Sequence, residues 1–342
     1  MIRHFTKIIV CHAYSNSNSN SRNKEAACII ENGEHHYHVI DQTNSFARFL
    51  EDLVIPKDKG NESEFLELCN IRHNVMQQMC EYEDAQETNI LEFCNQNIQD
   101  AIQMLHSGKP ANELGLTAEH FKNSPSIDIK FLTICFNTIL KDKQIPDIFK
   151  TGIVTPVLKK GKNPMNMDNY RGIAVTPVIS KLFEYAILPT LAGNFTQYIL
   201  QFGFTKGMSM LMAGSLICET RAEAKYVTIE PLYLVTVDSQ KAFDVVDHII
   251  MLDAYYENIP NHPLWSVVKK LYTELVSKVK WKGNTSNSFQ IHQGGRQEGF
   301  LSPFLYKLYV NNLLEDYKTY NLGFTIRTTY VGCSTCADDI GS

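Results

Sequence analysis

The sequence predicts an α+β fold, in which helices and a few short strands alternate without regular βαβ units. Three observations lead to this prediction. Apolar residues recur at helical spacing over residues 62–106. The run at 232–237 is β-branched, aromatic and apolar, as strands commonly are. The sequence shows neither the glycine pattern of a dinucleotide-binding unit nor an internal repeat, which argues against a doubly wound or repetitive architecture.

The first part of the chain is predicted to begin in a flexible loop and to continue in helices. Residues 15–21 form a low-complexity Ser/Asn run. The helical spacing of 62–106 then ends at a Gly-Lys-Pro break. Thr117 is a candidate N-cap, although the glutamate that follows falls one residue short of a capping box. The next helix covers about 127–143 and ends before Pro146.

Strands and helices alternate through the middle of the chain. The predicted elements are strands at 152–158 and 173–175, a helix at 178–188, a strand at 232–237, helices at 242–257 and 264–279, and a hairpin of 278–282 with 288–292. The helix at 178–188 stops before Pro189, because proline disrupts a helix interior. A basic turn separates the first two strands, and the later hairpin turns at Gly283-Asn284.

The last predicted elements lead to an acidic pair. Ser302 is a candidate cap for a helix that has Pro303 in its first turn and extends to about residue 317. A final strand at 328–333 precedes Asp338 and Asp339. Three residues follow the pair, fewer than the ~5 of an average strand, so we expect no returning strand and no hairpin partner for the final strand.

Composition and charge indicate a globular protein with an uneven charge distribution. The net charge is −5, yet residues 141–171 carry seven basic and three acidic side chains, whereas residues 61–100 carry one basic and nine acidic ones. The basic stretch is a candidate phosphate-binding surface or, more commonly, a solvated loop. The sequence has nine cysteines without a secreted-framework spacing, no apolar leader and no run of ~18 apolar residues. We therefore expect an intracellular protein, nuclear or cytoplasmic, that has reduced thiols and does not engage a membrane.

Carboxylates occur in two segments that a fold could bring together. Asp238 follows a predicted strand, which places it at the rim of a sheet, and Asp338 and Asp339 form the second acidic segment. Carboxylate oxygens from two segments can hold paired divalent metals, an arrangement that suits phosphoryl transfer. Taken singly, Asp238 is more commonly an N-cap and an Asp-Asp pair is more commonly a polar turn.

Two further segments carry groups that suit phosphate or nucleic acid. The loop at 293–299 contains glycines that permit close backbone approach, together with the donors Arg296 and Gln297. Lys159 and Arg171 flank the basic turn, where Lys supplies a point charge and Arg a bidentate donor. Each segment taken alone is also explained as an ordinary surface loop.

These segments, together and in this order, resemble the reverse transcriptase domain of non-LTR (LINE-type) retrotransposons. The resemblance covers about residues 107–342. It rests on Asn-Tyr-Arg-Gly-Ile at 169–173, Gln-Phe-Gly-Phe-Thr-Lys-Gly at 201–207, Lys-Ala-Phe-Asp at 241–244, Val-Asp-His at 246–248, Leu-Ser-Pro at 301–303 and Ala-Asp-Asp at 337–339. No endonuclease signature is visible in the sequence.

The resemblance implies a right-hand polymerase with fingers and palm, and the thumb is expected to be absent. Residues 1–106 would be an N-terminal region, partly disordered and then mainly helical, and residues 107–342 the reverse transcriptase domain. The implied activity is RNA-directed DNA polymerisation, with an RNA template, a DNA primer and dNTPs as partners. Because the returning strand and the thumb are expected to be missing, this activity is expected to be impaired.

By position, the resemblance makes Asp238, Asp338 and Asp339 the catalytic residues and the ligands of two Mg²⁺ ions, with Mn²⁺ as an alternative. The backbone carbonyl of Ser239 would complete a metal shell. One ion would lower the pKa of the primer 3′-hydroxyl, and the other would stabilise the leaving pyrophosphate.

The resemblance also implies contacts with nucleotide and nucleic acid. The implied dNTP-binding residues are Lys159, Arg171, Phe243 and Gln297. The implied template and primer contacts are Gln201, Gly203, Arg296 and Ser302. The Phe243 ring would clash with a 2′-hydroxyl and so favour deoxynucleotides.

Two residues depart from the family pattern. Glu298 stands where the family has a glycine that lets the backbone approach nucleic acid, so repulsion from phosphate is expected. Cys336 stands where the family has an aromatic residue.

Three other hypotheses stay open on the sequence alone. A non-catalytic nucleic-acid-binding remnant of a retroelement would bind primer–template in a salt-dependent way without needing Asp238. A helical scaffold would use the same segments only as core and turns. A two-metal nuclease is the weakest alternative, since it leaves the basic loop and Phe243 without a role.

Overall fold

The structure, a computed structural model, describes residues 28–56, 63–85, 91–109, 111, 115–229, 231–238, 241–259, 264–296 and 299–341. Its helices are α1 (Val39–Val54), α2 (Ser63–Ala85), α3 (Asn95–Met104), α4 (Ala118–Lys122), α5 (Ser126–Asp142), α6 (Val178–Gly193), α7 (Met210–Glu223), α8 (His248–Asn258), α9 (Trp265–Tyr272) and α10 (Leu301–Thr319). The Ser/Asn run at 15–21, Ser239, Gln297 and Glu298 lie outside the described residues.

The strands are short and lie between the helices along the chain. They are β1 (Ile29–Glu31), β2 (Glu34–His36), β3 (Thr151–Leu158), β4 (Tyr170–Val175), β5 (Thr236–Asp238), β6 (Leu275–Trp281), β7 (Asn284–Thr285), β8 (Phe289–Ile291), β9 (Thr325–Ile326), β10 (Thr329–Tyr330), β11 (Ser334–Cys336) and β12 (Asp339–Gly341). This mixture of helices and strands confirms the predicted α+β class.

The larger sheet joins strands from distant parts of the chain. β3 and β4 form an antiparallel hairpin, in which Val157 lies opposite Arg171, and this confirms the predicted strands on either side of the basic turn. β3 also pairs in parallel with β6, with Thr151 opposite Val276. β7 and β8 both pair with β6 on antiparallel register. The basic turn therefore projects from a sheet whose two middle strands are β3 and β6.

The smaller sheet contains the acidic pair. Its strand order is β11-β12-β5, and both pairings are antiparallel. The expectation that no strand returns after the pair is wrong, because Asp339–Gly341 forms β12 and pairs on both sides. The final strand predicted at 328–333 is confirmed in part, because β10 (Thr329–Tyr330) lies within it and pairs with β9. The strand that leads directly to the acidic pair is β11 (Ser334–Cys336), and its hairpin partner is β12. A strand of three residues can form here because its backbone N–H and C=O groups form hydrogen bonds with a neighbouring strand on each side.

Two apolar clusters form the interior. The larger one draws side chains from α2 and α3 as well as from α5, α6, α8, α9 and α10, and includes Met76, Ile98, Phe183 and Leu308. In the smaller one, the Phe46 ring of α1 lies 4.9 Å from Tyr170 and 4.8 Å from Trp281 between ring centroids. Both clusters contain residues from either side of position 106, where the division between the two regions is predicted.

Helix α6 continues through Pro189, where a stop was predicted. Ile187 and Leu191 lie four residues apart, on one face of the helix, and both are fully buried. Burying each contributes ~1.5–3 kcal/mol, which offsets the ~3 kcal/mol cost of proline within a helix. Tertiary packing therefore outweighs the local preference.

Two other predicted helices are shorter in the structure. The helix predicted at 242–257 begins only at His248, because Asp247 caps it and accepts hydrogen bonds from Ile249 N at 2.8 Å and Ile250 N at 3.1 Å. The helix predicted at 264–279 ends at Tyr272, after which Glu274 adopts a φ of +59°. Burial alternates in β6, which begins directly afterwards, so this segment follows strand periodicity.

The strand predicted at 232–237 is reduced to Thr236–Asp238. Its partner β12 offers three residues for pairing, so the ladder ends where the partner ends. Within the described part of the chain, none of the helices is both long and apolar enough to cross a membrane.

Candidate active site

The register of the smaller sheet brings together the three aspartates predicted to be catalytic. Asp339 of β12 is the direct cross-strand partner of Asp238 of β5, and Cys336 of β11 is the partner of Asp339 on the other side. Directly opposed residues of an antiparallel pair have Cα atoms ~4.5–5.5 Å apart. Asp338 lies in the intervening turn and is half-buried, while Asp339 is exposed. Two segments a hundred positions apart in the sequence thus converge on one sheet edge.

The side chains predicted to hold a metal at this edge are carboxylates, which are donors that suit a hard divalent cation. Carboxylate oxygens are the ligands that Mg²⁺ takes, usually one or two of them together with water and substrate phosphate. Among side chains that the structure describes, no group of three or more His, Cys, Asp or Glu residues could hold a metal. The Asp238 side chain and Ser239 are outside that set, so the predicted metal ligands stay a prediction that the backbone register supports.

Tyr306 of α10 lies between the acidic pair and Phe243, and no role was predicted for it. Burial, followed by the negative charges of Asp338 and Asp339, raises the pKa of Tyr306 to about 12. Its ring centroid lies 4.4 Å from that of Phe243, which in turn meets Phe204 edge-on at 5.9 Å. Phe243 thus packs between the rings of Phe204 and Tyr306, and the charges of the acidic pair act on Tyr306.

The two predicted triphosphate ligands lie on the β3–β4 hairpin of the other sheet. Arg171 is exposed on β4. Lys159 is half-buried directly after β3, and its Nζ donates to the Asp168 carbonyl at 3.0 Å. Both residues are therefore on one hairpin, while Gln297, predicted to share their ligand, lies outside the described residues.

All four residues predicted to contact template and primer are buried inside the protein. Gln201 is 1% exposed and Arg296 is 6% exposed, and Gly203 and Ser302 are also buried. Gln201 bonds to the backbone of Ala337, beside the acidic pair. In this conformation Gln201, Arg296 and Ser302 form hydrogen bonds within the protein, and a direct contact with nucleic acid stays a prediction.

Arg296 and Ser302 fix the glycine-rich loop to the fold. The Arg296 guanidinium forms an ion pair with Glu184 at 2.6 Å and donates to the Ser180 hydroxyl at 2.8 Å and to the Phe149 carbonyl. The Ser302 hydroxyl donates to the Arg296 carbonyl at 2.6 Å. Both the side chain and the backbone carbonyl of Arg296 are therefore hydrogen-bonded to the rest of the fold.

The start of this loop is hydrogen-bonded to the segment that follows Asp238. Gly295 N donates to the Phe243 carbonyl at 2.6 Å. Gly294 has a φ of +94°, and a Cβ there would lie 2.6 Å from the Asp244 carbonyl oxygen, so only glycine fits. Burial lowers the pKa of His248, whose Nε2 lies 2.8 Å from the Gly294 carbonyl oxygen and donates to it. Phe243 and the glycine-rich loop are therefore positioned together.

Glu184, which holds the glycine-rich loop through Arg296, was not identified from the sequence. Its position within an apolar run could have indicated this role. Glu184 is an acid within the apolar run at 182–188, and it is fully buried. An acid inside a helix face that is otherwise apolar needs an ionic partner, because an unpaired buried charge is very costly. Tyr306 offered no comparable signal, since aromatic residues are common in any buried helix.

A family profile matches the segment that contains these residues. The family described as reverse transcriptase (RNA-dependent DNA polymerase) matches residues 157–341, which is more than half of the 342-residue chain. The matched region contains β5, α10 and the β11–β12 hairpin, and therefore the whole of the smaller sheet.

Curated proteins that resemble the chain come from transposable elements. A probable RNA-directed DNA polymerase from transposon X-element of Drosophila melanogaster is 27% identical over 196 residues, 56% of this chain and 21% of that protein. The RNA-directed DNA polymerase from mobile element jockey of the same species is 26% identical over 226 residues, 64% of this chain and 24% of that protein. The jockey polymerase of Drosophila funebris is 25% identical over 251 residues, 72% of this chain and 26% of that protein. The chain thus spans about a quarter of the length of the curated relatives it matches.

Proposed function

The chain belongs to the reverse transcriptase (RNA-dependent DNA polymerase) family, and we propose that it is the RNA-directed DNA polymerase domain of a non-LTR retroelement. Residues 107–342 would supply fingers and palm, and residues 1–106 a mainly helical N-terminal region. The observation that carries the proposal is the direct pairing of Asp339 with Asp238. It brings acidic residues of two segments to one sheet edge, as two-metal nucleotidyl transfer requires.

The proposed metal ligands are Asp238, Asp338, Asp339 and the Ser239 carbonyl. When bound, two Mg²⁺ or Mn²⁺ ions would supply Lewis-acid chemistry that favours ionisation of the primer 3′-hydroxyl and stabilises negative charge on the leaving pyrophosphate. The proposal is supported by the hydrogen bonds of β12 to a neighbour on each side, because these bonds fix the backbone at Asp339. Tyr306, whose pKa is raised, stays a neutral phenol beside them at physiological pH.

The proposed nucleotide-binding residues are Lys159, Arg171, Phe243 and Gln297. Arg171 is exposed and offers a guanidinium that suits bidentate contact with phosphate. Phe243 is buttressed by Tyr306 on one side, so its ring cannot easily move away from a bulkier sugar. This packing supports a role in excluding the 2′-hydroxyl of ribonucleotides.

Primer extension tests the proposal. Impairment was expected partly because no strand was expected to return after the acidic pair, but β12 does return and pairs with β5. The purified chain should therefore incorporate labelled dNTPs on a DNA primer annealed to an RNA template when Mg²⁺ is present. Asp238→Asn should reduce the rate on the order of a hundredfold or more, because charge stabilisation in the transition state is lost. Asp142→Asn, at an exposed aspartate at the end of α5, is the matched control and should leave the rate unchanged.

Binding measurements separate the proposal from a non-catalytic remnant. Salt-dependent binding of primer–template that survives Asp238→Asn, without incorporation by the wild type, would favour the remnant. If the wild type neither incorporates nucleotide nor binds primer–template at low salt, both retroelement functions are refuted for this chain and the scaffold hypothesis is favoured.

A further inference from the structure

We propose that Gln201 and Gly203 are positioning residues that hold the turn at Ala337 and thereby set the placement of Asp338 and Asp339. The inference rests on the proposed polymerase function for the role of the two aspartates. It differs from the contact with template and primer that the sequence predicts for Gln201 and Gly203. Neither residue would touch substrate: they would act through the acidic turn.

The side-chain amide of Gln201 bonds to both backbone groups of Ala337. Its Oε1 accepts from Ala337 N at 3.2 Å and from Gly203 N at 2.9 Å. Its Nε2 lies 3.5 Å from the Ala337 carbonyl oxygen and donates to it. A buried glutamine must satisfy such donors and acceptors within the protein, and this one does so at the residue directly before Asp338.

The backbone on either side of Gln201 is attached to the same hairpin. Phe202 N donates to the Thr335 carbonyl at 2.7 Å, and Thr335 N donates to the Leu200 carbonyl at 2.9 Å. Gln201 and Thr335 form a parallel β-bridge. Segment 200–202 therefore runs along β11 as an additional strand-like neighbour. The side-chain amide of Gln201 extends beyond the end of β11 to Ala337 in the turn.

Gly203 approaches the turn so closely that no side chain fits. A Cβ at this position would lie 2.1 Å from Ala337 N and 2.7 Å from Ala337 Cα. Its neighbours here are backbone atoms, which cannot rotate away as a flexible side chain can. Any larger residue must displace either segment 200–203 or the turn itself.

Ala337 has a backbone conformation that needs this support. Its φ is +61°, in the left-handed region that alanine rarely adopts. A residue keeps such an unfavourable backbone conformation only where contacts with the surrounding structure hold it in place. The bonds from Gln201 to both the N–H and the carbonyl of Ala337 supply that constraint, so their loss should let the turn relax and move Asp338.

The segment that bears Gln201 is also attached to α10. Gln197 Nε2 donates to the Gln201 carbonyl at 2.9 Å, and Lys307 Nζ donates to Gln197 Oε1 at 2.7 Å. Lys307 is the neighbour of Tyr306, the residue whose pKa responds to the acidic pair. The turn is thus linked by hydrogen bonds, through Gln201 and Gln197, to α10, the helix whose Tyr306 packs against Phe243.

Gln201→Met tests the inference, with Gln42→Met as the matched control. Both glutamines are buried and hydrogen-bonded within the protein. Gln42 Nε2 donates to the carbonyls of His36 at 3.1 Å and Tyr37 at 3.2 Å, and its Oε1 accepts from Trp281 Nε1 at 3.0 Å. Both substitutions keep side-chain length and delete a buried amide, so a similar loss of thermal stability is expected. Only Gln201 contacts the acidic turn.

Three measurements distinguish positioning from a general loss of stability. Hydrogen exchange of the peptide containing Ala337 should accelerate in Gln201→Met and not in Gln42→Met. Mn²⁺ affinity, measured by electron paramagnetic resonance on the protein without nucleotide, should fall about 10–100-fold in Gln201→Met alone, as for other residues that orient metal ligands. In primer extension, kcat should fall by a similar factor, with little change in the affinity for primer–template.

Several outcomes would overturn the inference. It fails if the two variants match in exchange and Mn²⁺ affinity, or if Gln201→Met weakens template binding while exchange at Ala337 is unchanged. That second result would assign Gln201 to the template. If the wild type shows no incorporation and no Mn²⁺ binding, the polymerase function fails instead, while the exchange comparison still decides whether Gln201 holds the turn.

Gly203→Ala provides a second variant in case Gln201→Met does not fold. Its control is Gly214→Ala in α7, where a Cβ would meet no atom within 4 Å. The same acceleration of exchange and loss of Mn²⁺ affinity are expected for Gly203→Ala and not for Gly214→Ala. Unchanged exchange and Mn²⁺ affinity in a folded Gly203→Ala protein would contradict the proposed close contact.

Discussion

The carboxylate of Glu184 and the guanidinium of Arg296 form an ion pair inside the protein, with 2.6 Å between Oε1 and Nη1. The second oxygen, Oε2, accepts from Leu301 N at 3.1 Å, at the first residue of α10. One carboxylate of α6 therefore holds both ends of the segment from Arg296 to Leu301. The same carboxylate places negative charge at the N-terminus of α10, where the helix dipole favours it.

Glu184→Gln should strongly destabilise the fold. Removing one partner of a buried ion pair leaves the other charge uncompensated, which costs ~3–5 kcal/mol. The control is Glu31→Gln, which breaks the 2.9 Å contact of Glu31 with the exposed Arg48. Because the Arg48 partner is open to solvent, a pair of that kind contributes only ~0–1 kcal/mol. Urea unfolding measures both free energies, and equal losses would contradict the cost expected for an uncompensated buried charge.

Replacing Asp339 should stabilise the protein without metal and abolish its response to metal. Asp339 is directly opposite Asp238, and like charges in that relationship destabilise a sheet by ~0.2–1 kcal/mol. Asp339→Asn should therefore raise Tm slightly in EDTA. Mg²⁺ should raise the Tm of the wild type, because a ligand of the folded state stabilises it, and should have little effect on the variant. Asp142→Asn should keep the wild-type response, and a retained response in Asp339→Asn would argue against its role as a ligand.

Phe243→Val should weaken the discrimination against ribonucleotides. A smaller side chain removes the expected clash with the 2′-hydroxyl, and a tenfold gain in relative rNTP incorporation corresponds to about 1.4 kcal/mol. The control is Phe204→Val, which removes the exposed aromatic ring on the outer side of Phe243. Competition between dNTP and rNTP in primer extension measures the ratio. Equal ratios for wild type and Phe243→Val would remove Phe243 from sugar selection.

Stability should fall as pH drops below neutrality, and His248 should contribute to that fall. Burial lowers the pKa of His248, so the unfolded state binds its proton first, near pH ~6.5, while the folded state binds it at lower pH. Stability from this group is therefore present above the unfolded pKa and lost as pH falls toward the folded pKa. Thermal unfolding between about pH 7.5 and 5.5 should show a smaller slope for His248→Gln.

The exposed His38 supplies the control for this pH dependence. His38→Gln should retain the wild-type slope. The pKa of His73 is also lowered by burial, so part of the slope should remain in His248→Gln. A slope that does not change in His248→Gln would mean that the buried ring does not titrate differently in the folded and unfolded states.

The order of the acidic segments, and not their local structure, led to the prediction that Asp238, Asp338 and Asp339 act together, and the register places Asp339 opposite Asp238. Asp238 followed a strand in the prediction and ends one in the structure. The returning strand was missed because its three residues look too short, and they are held only through pairing with both β11 and β5. Such pairing depends on residues distant in the sequence, which local patterns do not report.

The partners of polar side chains were the least predictable part of the site. Arg296 and Gln201 have the chemistry of nucleic-acid ligands, and both use it on the protein itself. Their partners lie more than a hundred residues away, at Glu184 and Ala337, so no spacing rule connects them. Thr117 shows the same limit locally: His120 bonds to its backbone N–H where a capping glutamate was sought.

The strand order of the smaller sheet has a consequence for biosynthesis. β12, the middle strand, is made about a hundred residues after β5, so the nascent β5 has no sheet neighbour in the described fold while these residues are added. At ~5–20 residues per second this interval lasts on the order of ten seconds. The acidic centre can therefore be assembled only after β12 has left the ribosome, and a chaperone that shields β5 until then would raise the yield of folded protein.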